Sequence, residues 1–185
     1  MHKKNDREFF EENILIHCDR IFKYALSVTK EVTAAEDIMQ QTLEKAWTRL
    51  SQLRDRKKAK AWVFQIARNE IRLHFREEKK QWSGEAAFQE LLREASEQEM
   101  NPEILHLEEQ QSREEKIQLA QAIERLPEKY REILMLWSQG NLSEKEISEV
   151  LGMNYSTVRV TIHRGLECLR KLYFMMEGGG ANGKG

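Results

Sequence analysis

Apolar residues recur along the first part of the chain at steps of three and four, the spacing of one helix face. The first set is Phe9, Phe10, Ile14, Ile16, Ile21, Phe22, Ala25, Leu26 and Val28. A second set predicts a helix that begins near Thr33: Ile38, Met39, Leu43, Ala46, Trp47 and Leu50. A third predicts a helix from about Ala59: Trp62, Val63, Ile66, Ala67, Ile71 and Phe75. Residues 1–80 are therefore predicted to form one helical lobe.

A second helical lobe is predicted over residues 116–174. Its first helix carries Ile117, Leu119, Ala120, Ile123 and Leu126. Pro127 ends that helix and favours the start of the next, because proline fits the first helical position. The apolar face of this next helix is Tyr130, Ile133, Leu134, Leu136 and Trp137, and the helix stops at Gly140-Asn141.

Capping residues mark two further helices in the second lobe. Ser143 and Glu146 have the spacing of a capping box, and Leu142 and Ile147 have the spacing of a hydrophobic staple. This helix ends at Gly152, and Asn154 caps the next one. The apolar stripe of that last helix is Val158, Ile162, Leu166, Leu169 and Leu172. A short helix, a tight turn and a second helix are typical of the helix-turn-helix motif.

Composition divides the rest of the chain. With 33% charged and 40% hydrophobic residues, we expect small helical units rather than one large core. Residues 81–115 are strongly acidic and predict a partly helical linker, whereas the two lobes are mildly basic. Residues 175–185 are rich in glycine and predict a flexible tail. The prediction is an all-α protein: two small helical domains joined by an acidic linker.

Several functional classes have no sequence support. The chain has no long apolar run and no signal peptide, which favours a cytoplasmic protein without membrane insertion. Cys18 and Cys168 are far apart, and the five histidines lack ligand spacing, so we expect no disulfide framework and no metal site. Recognised catalytic and nucleotide-binding motifs are absent, so we expect neither an enzyme nor a cofactor.

The last helix of the motif is the best candidate for reading DNA, because the major groove admits an α-helix. Its polar face is Tyr155, Ser156, Thr157, Arg159, Val160, His163 and Arg164. The arginines can contact guanine or phosphate, and the hydroxyls can bond phosphates near the helix N-terminus. The alternative is an ordinary helical hairpin with a solvated polar face.

Two other surfaces carry candidate chemistry. The loop from Leu53 to Lys60 is basic and lies beside Trp62, a combination that suits single-stranded nucleic acid. The alternative is a solvated loop with Trp62 in the core. A polar face of the second helix offers acceptors and amides to a basic partner: Asp37, Gln40, Gln41 and Glu44.

Four segments together resemble the sigma-70 family of RNA polymerase sigma factors. Residues 36–47, EDIMQQTLEKAW, and 61–69, AWVFQIARN, resemble its conserved region two. Residues 126–133, LPEKYREI, and 143–152, SEKEISEVLG, followed by Thr157-Val158-Arg159, resemble region four. A chain with only these two regions resembles the extracytoplasmic-function (ECF) group.

The resemblance implies an alternative sigma factor that brings core polymerase to promoters and helps to open them. The face of Asp37, Gln40, Gln41 and Glu44 would bind the β′ clamp helices, and the β flap and an anti-sigma factor would be further partners. The −35 element would be read by the last helix. The −10 element would be bound and melted by residues of the loop and the third helix: Leu53, Arg54, Asp55, Arg56, Lys57, Lys58, Lys60, Arg68, Asn69, Arg72 and Arg76.

This chain departs from the family pattern in the −35 helix and in the loop. Val160 and Thr161 stand where a small polar and a basic residue are frequent, Gly165 replaces a usual alanine, and Leu53 replaces a frequent aromatic. Two other functions stay open from the residues. One is a helix-turn-helix regulator that binds DNA without polymerase, and the other is a helical adaptor that binds only proteins.

Overall fold

The computed structural model describes residues 2–78 and 115–180, and every regular element in these two ranges is helical. In the first lobe the α-helices are α1 (His2–Asn13), α2 (Cys18–Thr29), α3 (Val32–Thr48) and α4 (Ala59–Glu78). In the second they are α5 (residues 115–124), α6 (Glu128–Ser138), α7 (Glu144–Leu151) and α8 (Tyr155–Gly180). The prediction of an all-α protein is confirmed, whereas the linker predicted for 81–115 lies almost wholly outside the described residues.

The helix boundaries follow local chain chemistry. The predicted starts of α3 and α4 are confirmed to within one residue. Pro127 caps α6 rather than opening it, because its ψ of 138° is extended. Lys30 ends α2 in a left-handed conformation with φ of 62°, and its N–H donates to the carbonyl of Leu26. The chain then turns directly into α3.

Short 3₁₀ turns join the helices of the first lobe. Leu15–His17 links α1 to α2, and Leu50–Gln52 and Arg56–Lys58 shape the basic loop between α3 and α4. The carboxylate of Asp55 caps the last of these turns by accepting the N–H of Lys57 at 3.0 Å. The basic loop is therefore a structured connection.

The two lobes pack against each other, and one cluster of buried apolar residues extends across both of them. Helix α4 packs on α3 and also on α7 of the second lobe, and α2 contacts α6. Phe64 is fully buried at this junction. A Cβ placed on Gly140 would lie 3.0 Å from the Phe64 ring, so the lobes approach closely there.

Several predictions of burial were wrong. Trp47 is 47% exposed and meets the edge of the Phe10 ring, and Trp137 and Leu166 are also exposed. Met135, which the pattern did not select, is buried in place of Trp137. A helix buries only a stripe of limited width, and these side chains lie at its edge, so they point away from the packed face.

Helix α8 continues to Gly180 and so overlaps the first residues of the segment 175–185 that the sequence predicts as a flexible tail. Residues 181–185 lie outside the described residues, and the tail stays a prediction. Glycine lowers helix propensity, but it does not block the backbone hydrogen bonds that propagate a helix.

Candidate nucleic-acid and protein interfaces

The helix-turn-helix of α7 and α8 is held by the caps that the sequence predicts. The Ser143 N–H donates to Glu146 Oε2 at 2.7 Å, and the Glu146 N–H donates to Ser143 Oγ at 3.3 Å, which completes the capping box. Gly152 ends α7 with φ of 65°, a conformation that glycine adopts without strain. Asn154 Oδ1 accepts the N–H of Ser156 at 3.0 Å and caps α8.

Side-chain bonds also connect the two helices of the motif. Ser148 Oγ donates to the carbonyl of Met153 at 2.6 Å across the turn. The Tyr155 hydroxyl bonds to Glu144, and this hydrogen bond raises the pKa of Tyr155. The first turn of α8 is thus fixed relative to α7.

The predicted DNA-reading face of α8 is exposed. Val158 and Ile162 face the core, being 0% and 6% exposed. The seven residues predicted to meet the −35 element all lie at the surface: Tyr155, Ser156, Thr157, Arg159, Val160, His163 and Arg164. The face therefore combines two arginines, hydroxyl groups and one aliphatic side chain within three helical turns.

The predicted −10 loop contains residues with two different environments. Arg54 and Lys57 are exposed, whereas Leu53 packs against the core and Asp55 caps its own turn. Arg56 bonds Asp6 of α1 at 2.7 Å and lies 4.4 Å above the ring of Phe9. Arg54 and Lys57 are the loop cations best placed to meet a nucleic acid in this arrangement.

Three other cations of the predicted −10 surface bond carboxylates of the second lobe. Lys58 Nζ lies 2.7 Å from Glu149 Oε1, Lys60 Nζ lies 3.3 Å from Glu146 Oε2, and Arg68 Nε lies 2.7 Å from Glu132 Oε1. Lys60 also donates to the carbonyl of Asn141 at 2.5 Å. We call these three salt bridges the interlobe ion pairs.

The interlobe ion pairs affect ionisation in the expected directions. The hydrogen bond and charge of Glu149 raise the pKa of Lys58. Burial opposes ionisation of Glu146, but hydrogen bonds from Ser143 and the charge of Lys60 outweigh burial and lower the pKa of Glu146. These shifts favour the charged forms of Lys58 and Glu146 at neutral pH.

The remaining predicted −10 residues lie along α4, where Asn69, Arg72 and Arg76 are exposed. Arg72 and Arg68 line a cavity of about 400 Å³ at the junction of the lobes, together with Glu132. The buried ring of Tyr24 forms part of the same wall, and burial raises the pKa of Tyr24.

The predicted polymerase-binding face of α3 is exposed at all four positions: Asp37, Gln40, Gln41 and Glu44. Gln40 Nε2 donates to Glu44 Oε1 at 3.4 Å along this face. On the opposite side the buried Thr42 donates to the carbonyl of Ile38 at 2.6 Å. Lys45, near the end of α3, forms an ion pair with the buried Glu70 of α4.

The sequence alone did not identify the acidic side of the lobe junction. Glu132 lies on α6, whereas Glu146 and Glu149 lie on α7, and all three meet the cations only through the packing of the second lobe on the first. The capping role of Glu146 was readable from sequence, but its partner Lys60 was not.

Within the described ranges no cluster of potential metal ligands is found, and no helix there is long and apolar enough to cross a membrane.

Comparison with known proteins agrees with this geometry. Residues 15–81 match the Sigma-70 region 2 family, and residues 116–169 match the family described as Sigma-70, region 4. The ECF RNA polymerase sigma factor SigW of Bacillus subtilis is 32% identical over 171 residues, which covers 91% of each chain. RNA polymerase sigma factor SigZ of the same organism is 32% identical over 142 residues, covering 74% of this chain and 71% of SigZ.

Solved structures show the same fold. The sigma factor RpoE of Bartonella quintana, in complex with the anti-sigma factor NepR, aligns with a TM-score of 0.61 at 21% identity and covers 88% of this chain and 95% of that one. CnrH, in complex with the cytosolic domain of CnrY, aligns with a TM-score of 0.59 at 22% identity and covers 88% and 86%. With both conserved regions present in order, the chain belongs to the sigma-70 family of RNA polymerase sigma factors and, within it, to the ECF group.

Proposed function

We propose that this alternative sigma factor divides promoter recognition among three surfaces. The polar face of α3 binds core polymerase, the loop before α4 and α4 itself bind the −10 element, and α8 reads the −35 element. The observation that carries the proposal is the exposed, capped recognition helix in a chain that also contains sigma region 2.

The assignment of the polymerase-binding surface rests on how firmly α3 is held in the first lobe. Asp37 and Gln41 are exposed on a helix whose other side buries Ile38 and is joined to α4 by the ion pair of Lys45 with Glu70. An exposed polar face on a fixed helix suits a protein partner with basic and amide groups, and we assign this partner to the β′ clamp helices. We assign the β flap as the partner of the second lobe.

The −10 surface is supported by its charge. Single-stranded DNA binds grooves in which cations follow the phosphates. Arg54, Lys57, Arg72 and Arg76 provide exposed cations on the loop and on α4. Lys58, Lys60 and Arg68 would join them when the interlobe ion pairs separate.

The −35 surface is supported by the geometry of α8. A helix presents its N-terminal residues to base edges in the major groove, while phosphates are bound at its N-terminus. Ser156 and Thr157 lie in the first turn, and Arg159 and Arg164 follow on the same exposed side. The arginines can form bidentate bonds with guanine.

An anti-sigma factor is a further proposed partner. The solved structures described above include a sigma factor in complex with the anti-sigma factor NepR, and CnrH in complex with the cytosolic domain of CnrY. Both share this arrangement of helices over most of the chain, which supports a similar regulatory partner here.

Reconstituted transcription tests the proposal. The purified chain, added to sigma-free bacterial core polymerase, should start transcription at specific sites on genomic fragments. The double variant Asp37→Ala/Gln40→Ala should weaken core binding by about tenfold, which corresponds to roughly 1.4 kcal/mol. The exposed pair Glu8→Ala/Glu12→Ala on α1 is the control and should leave core binding unchanged.

A helix-turn-helix regulator that acts without polymerase gives a different result. It would bind one DNA sequence tightly by itself and would show no stable association with core polymerase. That pair of results would refute the proposal.

A further inference from the structure

Val160 is an aliphatic side chain in the middle of the polar face of α8. It is 48% exposed, whereas Val158 and Ile162 on either side of it in sequence are buried. Steps of three and four residues place it on one helix face with Ser156, His163 and Arg164. An isolated exposed valine is ordinary on a protein surface, but this one lies among the groups proposed to meet base edges.

The hydroxyl group of the neighbouring Thr161 donates within the helix, so it does not replace the polar group that is missing at Val160. Thr161 is half-buried, and its hydroxyl donates to the carbonyl of Thr157 at 2.7 Å. The centre of the face is therefore apolar, with arginines on both sides of it at positions 159 and 164.

In the major groove, thymine alone presents a methyl group, and aliphatic side chains recognise it by contact. Valine suits this contact because its β-branched side chain is almost fixed to one rotamer in a helix. We propose that Val160 contacts the C5 methyl group of one thymine in the −35 element and so selects that base. This inference rests on the proposed −35 function of α8.

Thymine-to-deoxyuridine substitution isolates the methyl group, because base pairing stays unchanged. The −35 sequence is first selected from random duplexes by the reconstituted holoenzyme, and each thymine is then replaced separately. One position should lose about fourfold in affinity, the effect of returning one methyl group to water. In Val160→Ala that position should become insensitive to the replacement.

Arg159→Ala is the matched control on the same face. It should weaken −35 binding while the effect of the deoxyuridine persists. The inference is overturned if no thymine is sensitive in the wild-type protein, or if Val160→Ala keeps the sensitivity. A wild-type holoenzyme that selects no −35 sequence would overturn the proposed function as well.

The interlobe ion pairs carry a second, independent inference. Their basic members, Lys58, Lys60 and Arg68, belong to the proposed −10 surface, whereas their acidic members belong to α6 and α7. Carboxylate and phosphate oxygens compete for the same N–H donors. A DNA strand can therefore use all the N–H donors and the full charge of these three cations only when the glutamates leave them.

Apolar packing holds the competing carboxylates in place. The ring of Phe64 on α4 is fully buried against Gly140, just before α7. We infer that the second lobe acts as an intramolecular competitor of DNA, with Glu132, Glu146 and Glu149 occupying cations of the −10 surface. This closed arrangement restrains the free sigma factor, and the inference rests on the proposed −10 function.

The test neutralises the acidic side and leaves the DNA-binding cations intact. Glu132→Gln/Glu149→Gln removes two of the three carboxylates, while Glu146 is kept because it caps α7. The control, Glu8→Gln/Glu12→Gln, changes net charge equally on exposed residues of α1. The probe is a short single-stranded oligodeoxynucleotide, and its affinity for each full-length variant is measured at several salt concentrations.

The junction variant should bind the oligodeoxynucleotide about fivefold more tightly than the control variant, because two partly exposed ion pairs contribute modestly. Equal affinities of the two variants would overturn the inference and leave the −10 proposal standing. Failure of all variants, including the wild type, to bind in a salt-sensitive manner would overturn both. Circular dichroism confirms that each variant is folded.

Discussion

At the scale of single residues, His17 couples the stability of the fold to pH. It is buried beside the Phe64 ring, and its Nδ1 atom has no hydrogen-bond partner among the described residues. Burial lowers the pKa of His17, and the charges of Lys60 and Arg20 lower it further against the opposing effect of Glu146. The unfolded chain therefore binds this proton more tightly than the folded chain.

The free energy of unfolding should then decrease as pH falls through the ordinary histidine pKa of about 6.5. His17→Leu keeps an apolar group of similar volume and should flatten this part of the pH dependence. Urea unfolding at about pH 7.5 and about pH 5.5 measures the difference. An unchanged pH dependence in His17→Leu would contradict the assignment.

A second residue-scale prediction concerns the ion pair between Lys45 and Glu70. Glu70 is 5% exposed, so removal of its partner leaves a buried carboxylate without its cation. Lys45→Met should lower the free energy of unfolding by about 2 kcal/mol. The same change at Lys23, whose pair with Asp19 is largely exposed, should cost less than about 0.5 kcal/mol. Equal costs measured by urea unfolding would count against a structural role for the buried pair.

The periodic spacing of apolar residues predicted most of the buried positions, but it missed those that face a second packed neighbour. Ile38, Ile66 and Val158 are buried as the pattern predicts. Phe64 fell outside the stripe that the pattern assigned to α4, yet it is fully buried, because α4 has packed neighbours on two sides. The periodic pattern of apolar residues describes a helix with one buried face, so it does not describe a helix that packs between two lobes.

At the scale of elements, the capping box of α7 should carry measurable stability. Ser143→Ala removes the acceptor of the Glu146 N–H and a donor to the Glu146 carboxylate. We expect the free energy of unfolding to fall by about 1 kcal/mol, the usual cost of losing an N-cap. Lys145→Ala, an exposed change within the same helix, is the control and should stay within about 0.5 kcal/mol of the wild type. If Ser143→Ala and Lys145→Ala unfolded at the same urea concentration, the loss of stability could not be attributed to the capping box.

Element boundaries were predictable wherever a side chain caps the backbone. Ser143 marks the start of α7, while Gly152 and Asn154 mark the two ends of the turn, and each was assigned from local sequence. The extension of α8 to Gly180 was not predictable in this way, since glycine lowers helix propensity without forcing a helix to end. Helix ends without a specific stop signal depend on weak propensities, which do not fix a boundary.

At the scale of the whole molecule, the exposure of the three proposed surfaces was predictable, but the relation between the lobes was not. The resemblance and the polar faces located α3, the basic loop and α8. The pairing of Lys58 with Glu149 joins residues that are far apart in the chain, and no local pattern encodes it. The sequence therefore suggested a set of cations for DNA binding, which stays a prediction, and did not reveal that three of them are paired with glutamates of the second lobe.

Because the two lobes share a core, we expect them to unfold cooperatively, and we expect a substitution of Gly140 to disrupt this cooperativity. A Cβ there would lie 2.6 Å from the carbonyl oxygen of Leu136 and 3.0 Å from Phe64, so the backbone that supports the lobe junction must move. Gly140→Ala should lower the free energy of unfolding by about 2 kcal/mol. Calorimetry should show one transition for the wild type and two for Gly140→Ala, because the lobes lose their common packing.

Gly165→Ala is the matched control within the second lobe. Its Cβ would meet the side chains of Leu134, at 3.3 Å, and of Tyr130, at 3.4 Å. The strain is offset by the gain of about 1 kcal/mol from replacing glycine in a helix. We expect this variant to unfold in one transition at nearly the wild-type temperature. Two transitions in the wild type would mean that the lobes fold independently, and the closed arrangement would then be too weak to compete with DNA for Lys58, Lys60 and Arg68.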